Sequence, residues 1–240
     1  ALYDHFDPQV HTLKWARAND ALKLTDRWLL SKLQQTVDMC TAKLESCEFN
    51  FTTEALETFV VDTVSREYVP MVRRDLWSDD SETLSRRLAV YATLWQTLKT
   101  LVLLFNPLTP FLCEFLYQNV YRALDDSLPE SVNFVKWPMA DQALVDDEVM
   151  RDLELLQRVV TLSYSARQSA GLKRRWPLRR AVVIAPQDKL ASCRRLEDVF
   201  LELANVKSVG YLEEYAPHSE TEAKRWREAS EGDLRVLLDV

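Results

Sequence analysis

Over the first 170 residues apolar positions return every three or four residues, and the chain divides into five such runs. From Asp26 to about Ser46 the stripe is Leu29, Leu33, Val37, Cys40 and Leu44, the spacing of an amphipathic helix. Thr53 to about Trp77 carries Leu56, Val60, Val64, Tyr68, Val72 and Leu76 along one face, with Thr53 placed to cap the start and Pro70 expected to kink the run. The third follows the capping cluster "SDDSE" and sets out Leu84, Leu88, Tyr91, Trp95, Leu98, Val102 and Phe105 before "NPLTP" stops it. Thr109 and Pro110 are a cap and first-turn pair that opens a fourth helix, to about Leu124. The fifth runs from about Asp147 to Ala170 on Val149, Leu153, Leu156, Val160 and Ala166, and Gly171 takes its C-terminal cap position.

Beyond Gly171 the period changes. "RRAVVIAP" and "VKSVGYLEE" read as strands on either side of a helical stretch from Asp188 to about Ala204. The expected fold is therefore mainly α, a helical bundle followed by a small α/β unit. The expected boundaries are a connecting segment over 1–21, the bundle over 22–170 and the α/β unit over 171–240. "SVNFVKWP", before the fifth helix, reads as an extended connection lying over the bundle. Residues 214–240 are polar and charged up to "GDLRVLLDV", which reads as a strand with no following partner, so the chain is expected to be cut from a longer one.

Composition narrows the chemistry. A chain of 240 residues with 47% apolar content can bury a full core. Its three glycines provide neither GxGxxG nor GxxxxGK[ST], so no phosphate-cradling loop is expected. No uninterrupted apolar stretch approaches the roughly 20 residues that span a bilayer, and "ALYDHFDPQV" lacks the pattern of a secretory signal. A cytoplasmic monomer with no membrane partner is expected. Cys40, Cys47, Cys113 and Cys193 form no CxxC pair and read as reduced packing residues. With only His5, His11 and His218, helical motifs such as HExxH cannot be assembled, so no metal site is expected, and nothing marks a catalytic nucleophile.

Charge changes the picture more. The formal net charge is −7, and Asp125–Gln157 alone holds nine acids against two bases. Ser165–Arg180 holds six bases and no acid, five of them with a tryptophan inside "GLKRRWPLRR". An acidic average therefore leaves room for a local anion site. The second run also ends basic, at Arg66, Arg73 and Arg74, with Tyr68 and Trp77 beside them. Arginines next to exposed aromatics suit single-stranded RNA loops, because guanidinium groups fork onto phosphates while unpaired bases stack on flat rings. The candidate RNA contacts are Arg66, Tyr68, Arg73, Arg74, Trp77, Arg167, Lys173, Arg174, Arg175, Trp176 and Arg179. The same arginines also suit a helix C-terminus or pairing with the acidic region, and Trp77 or Trp176 a place in the core.

Five segments carry a resemblance: "TDRWLLSKL", "FVVDTVSREYVPMVRRDLW", "NPLTPFLCEFLYQNV", "ESVNFVKWP" and "SARQSAGLKRRWPLRRAVV". In this order and spacing they resemble the anticodon-binding region of the isoleucyl-tRNA synthetases, in the archaeal and eukaryotic-type form more than in the valyl or leucyl relatives. The likeness covers about Leu22 to Glu214. It implies a helical bundle that takes the anticodon stem-loop of isoleucine tRNA, attached to a catalytic domain on the same polypeptide. Those synthetases use ATP through HIGH and KMSKS motifs, and neither occurs here, so no cofactor and no aminoacylation are expected of this chain. The family's WYVR-like run reads "REYVP", with Glu67 in place of an aromatic and Pro70 in place of a base, and the family continues beyond "GDLRVLLDV". The alternatives are the anticodon domain of a valyl or leucyl relative, a protein-interaction bundle with a basic rim, and an enzyme of unassigned chemistry.

Overall fold

A computed structural model describes residues 5–77, 80–215 and 225–240, so Ser78 and Asp79 of the "SDDSE" cluster and His218 lie outside the described residues. The chain folds as two compact units, Ala1–Asp146 and Asp147–Val240.

The first unit is helical. α1 (Leu13–Ala18) packs on α5 (Leu84–Phe105), with Ala16 and Ala21 buried against Ala89, so the segment expected to be a mere connection belongs to the bundle. α2 (Leu24–Glu45) buries Trp28, Leu29, Leu30, Leu33, Val37 and Cys40. Its start is not capped by a serine or threonine. The Lys23 N–H instead donates to Asp26 Oδ2 at 2.8 Å, filling one of the donors a helix start leaves open.

The second run is helical from Phe49 onward, four residues earlier than Thr53, and has three parts. α3 (Phe49–Thr58) leads into a π-helical stretch, Phe59–Tyr68, and α4 (Val69–Trp77) completes it. Pro70 has no N–H to give, and its ring would crowd the carbonyl four residues back in an ordinary helix. The π register ends just before it, where the Val69 N–H reaches back to the Val64 carbonyl.

α5 is long and apolar enough to span a bilayer by length and composition, and 56% of that window is buried within the protein. Pro110 opens α6 (Pro110–Leu116) at its first position, as the sequence predicts. A π turn at Tyr117–Tyr121 and a 3₁₀ turn at Arg122–Leu124 complete it. Glu114 holds the "ESVNFVKWP" connection by accepting from Ser131 Oγ at 2.7 Å and the Val132 N–H at 2.9 Å. Trp137 Nε1 donates to Thr41 Oγ1 at 2.9 Å, so the connection does lie on the bundle.

At the centre of this unit Asp26, fully enclosed, accepts from the Tyr68 hydroxyl at 2.6 Å and from Arg86 at 2.5 and 3.2 Å. Burial, and then the Asp26 carboxylate, push the Tyr68 hydroxyl well above the ordinary tyrosine value. A pKa raised on folding means stability that is intact below the unfolded tyrosine value and is lost as pH rises past it. The urea midpoint of this unit should therefore fall between about pH 9 and pH 11, and less in Tyr68→Phe than in the wild type. An equal fall in both proteins would remove Tyr68 as the cause.

In the second unit α7 (Asp147–Ser169) packs on a four-stranded sheet and on α8 (Gln187–Arg195) and α9 (Glu197–Ala204). The division of the chain thus falls before this helix, at Asp146, whereas the sequence reading put it at residue 170. The change of period marks where helix gives way to strand, and packing assigns α7 to the strands. The sheet order is β2-β1-β4-β3, with β1 (Ala181–Ile184) parallel to β2 (Val209–Leu212) and antiparallel to β4 (Leu234–Asp239). "GDLRVLLDV" is thus no lone strand. β4 pairs on its other side with β3 (Trp226–Glu231) across the two-residue turn Gly232-Asp233, where Gly232 has φ +60°.

Candidate nucleic-acid interface

The first unit offers one group of candidates, along π helix and α4. Arg73, Arg74 and Trp77 are exposed, Trp77 at 68%. Their acidic neighbour Asp75 is already engaged by Arg86 at 2.8 Å and Lys23 at 3.5 Å. Among the described residues no ion pair holds Arg73 or Arg74. Arg66 is exposed too, but its guanidinium pairs with Asp62 one turn earlier at 2.7 Å. Tyr68 must be withdrawn. It lies on the same stripe as Leu56, Val64 and Val72, is fully buried, and spends its hydroxyl on Asp26, so its ring has no face to offer a base.

The second unit holds the other group. α7 ends at Ser169, and Gly171 just beyond it lies in the left-handed region, φ +68°, as expected for a C-terminal glycine. Lys173–Trp176 then make a turn closed by the Trp176 N–H on the Lys173 carbonyl at 3.0 Å. Leu178 bridges to α9's end: its N–H reaches the Asn205 carbonyl at 3.1 Å and its carbonyl accepts from Lys207 at 3.0 Å. Lys173, Arg174, Arg175 and Arg179 are exposed around this turn, and no ion pair engages them among the described residues. Trp176 is 48% exposed, so it is not a core plug.

Arg167 is the second residue to be withdrawn. It is 1% exposed and cannot touch a ligand. Its guanidinium instead donates to the carbonyls of Trp176 at 2.8 Å, Ala204 at 2.6 Å and Asn205 at 2.8 Å, with a longer bond of 3.5 Å to Lys173.

Two residues absent from the sequence reading matter here. Tyr164 lies under Arg174, whose guanidinium carbon is 3.7 Å from the ring centroid, and its hydroxyl is tied to the Leu203 carbonyl at 3.0 Å. Asn205, left-handed at φ +51°, caps α9 and donates from Nδ2 to the Arg174 carbonyl at 2.9 Å. An asparagine at the end of a helical run followed by a strand is a sequence signal for such a cap, though not for its partner. No group of His, Cys, Asp and Glu able to hold a metal occurs among the described residues.

The helical bundle and the small α/β unit each carry exposed arginines and an exposed tryptophan. The chain belongs to the anticodon-binding domain family of the tRNA ligases, whose model matches residues 26–183 and so takes in both groups of candidates. It is 39% identical over 214 residues to the isoleucine–tRNA ligase of Methanopyrus kandleri, covering 88% of this chain and 19% of that protein. The isoleucine–tRNA ligase of Methanocella arvoryzae is 35% identical over 212 residues, or 87% of this chain and 19% of its own. That of Thermus thermophilus is 37% identical over 189 residues, 78% of this chain and 18% of its own. The chain thus spans about a fifth of the length of these curated relatives.

Proposed function

We propose that the chain is the anticodon-recognising part of an isoleucine–tRNA ligase and takes the anticodon stem-loop of isoleucine tRNA. The observation that carries this reading is the turn Lys173–Trp176, closed by its own hydrogen bond, which presents exposed cations around an exposed indole. The cations hold phosphates and set the loop's position, and Trp176 stacks an unpaired base. ATP use and aminoacyl transfer belong to a catalytic domain on the same polypeptide, since neither HIGH nor KMSKS occurs in these 240 residues. Pyrophosphate exchange above background by the chain alone would contradict that division of labour.

Trp176→Ala tests the site. A stacked base is worth about 1–3 kcal/mol, so affinity for the isoleucine tRNA transcript should drop by that amount while the melting temperature stays nearly constant. If the indole were a core plug, the unit would instead lose about 3–5 kcal/mol of stability. Unchanged affinity with a collapsed melting temperature would remove Trp176 from the interface.

A further inference from the structure

Arg167 is a buried cation with no carboxylate against it among the described residues, and every hydrogen bond it makes ends on a main-chain carbonyl. Burying a charge this way is costly unless the surroundings are strongly polar. Here they are. Ala204 and Asn205 end α9, where a helix concentrates negative partial charge, and Arg167 itself stands in the last turn of α7. Burial pulls its guanidinium below the usual arginine value. Only the planar fork of an arginine reaches so many acceptors at once. One pair of its contacts falls on the basic turn, at Lys173 and Trp176, and the other on the end of α9.

We infer that Arg167 is a positioning residue for the RNA-binding turn: it clamps Lys173–Trp176 to the C-terminus of α9, so that the exposed cations and Trp176 are held ready before RNA arrives. The inference rests on the function proposed above. A turn already ordered loses less conformational freedom on binding than one that must be ordered by the ligand. Asn205 contributes a second strap, through its bond to the Arg174 carbonyl.

The test uses the 240-residue chain, a transcript of isoleucine tRNA, and trypsin, which cleaves after Lys173, Arg174 and Arg175 where the turn opens. Arg167→Lys keeps the charge and loses the fork. It should weaken tRNA binding about tenfold and speed cleavage within the turn about tenfold. Cleavage after Arg73 and Arg74 in the other unit should not change. The slope of log affinity against log salt should match the wild type, because no phosphate contact is removed. A residue that merely supports the unit's stability would leave the affinity of the folded protein alone. Should Arg167→Lys fail to fold, Asn205→Gly keeps the left-handed cap while deleting the strap, and a smaller change in the same direction is expected.

Wild-type affinity in both variants, with Arg175→Ala still weakening binding, would overturn the inference and leave the proposed function standing. If the wild type fails to bind tRNA at all, the proposed function falls and the inference with it.

Discussion

Arg86→Met should lower the unfolding free energy of the first unit by about 3–5 kcal/mol, the range seen when one partner of a buried ion pair is removed. The arginine is nearly enclosed, with its side chain 12% exposed, and joins Asp26 at 2.5 Å to Asp75 at 2.8 Å. Desolvation works against its charge, but the attraction and hydrogen bond of Asp26, together with Tyr68 and Asp75, outweigh that and raise its pKa. Methionine replaces much of the volume. What it cannot replace is the counter-charge, so among the described residues Asp26 is left with the Tyr68 hydroxyl and the Lys23 N–H. Adding Asp26→Asn should restore part of the loss, because an amide keeps an acceptor for Lys23 and brings no buried charge. Urea denaturation of the two single variants and the double variant decides it: additive losses would show that the pair is not coupled.

The same residues show what periodicity reveals and what it does not. Tyr68 belongs to the stripe Leu56, Val60, Val64, Tyr68, Val72 and Leu76, and the stripe alone assigns it to the core. Its nomination as an RNA contact came from the arginines beside it, and packing decided against them. Trp77, one residue off that stripe, is open to solvent. The stripe also carries a signal for the π segment. Five successive steps of four residues each drift by about 40° on an ordinary helix, so they would wind off the buried face. A wider turn between Phe59 and Tyr68 takes up that drift and keeps Val64, Tyr68 and Val72 inside.

Other features depend on contacts far apart in sequence. β4 is legible as an apolar strand, but β3, "WREASE", is an edge strand with mostly polar side chains, and only pairing across Gly232-Asp233 identifies it. Arg167 is indistinguishable in sequence from the surface cations that follow it. Its burial comes from α9, whose last carbonyls arrive from nearly forty residues further on. The cation cluster and Trp176 were legible because a run of like charge with no local acid has few uses inside a protein.

With Tyr68 and Arg167 withdrawn, six candidate cations are exposed and without an ion pair among the described residues: Arg73, Arg74, Lys173, Arg174, Arg175 and Arg179. If each meets a phosphate, raising salt from about 50 to 200 mM should weaken binding of isoleucine tRNA on the order of 10³-fold, through the counterions that these contacts release. The loss should be shared by a non-cognate tRNA, since phosphates carry no sequence information. Removing one contact, as in Arg175→Ala, should make the salt slope shallower by about one. Trp176→Ala should leave the slope as it is, because stacking displaces no condensed ions, and should instead narrow the difference between cognate and non-cognate tRNA. Nitrocellulose or anisotropy titrations at four salt concentrations measure all of these quantities. Affinity that held constant across the salt series would rule out phosphate contacts as the purpose of these arginines, and with them the reading of both exposed groups as an RNA interface.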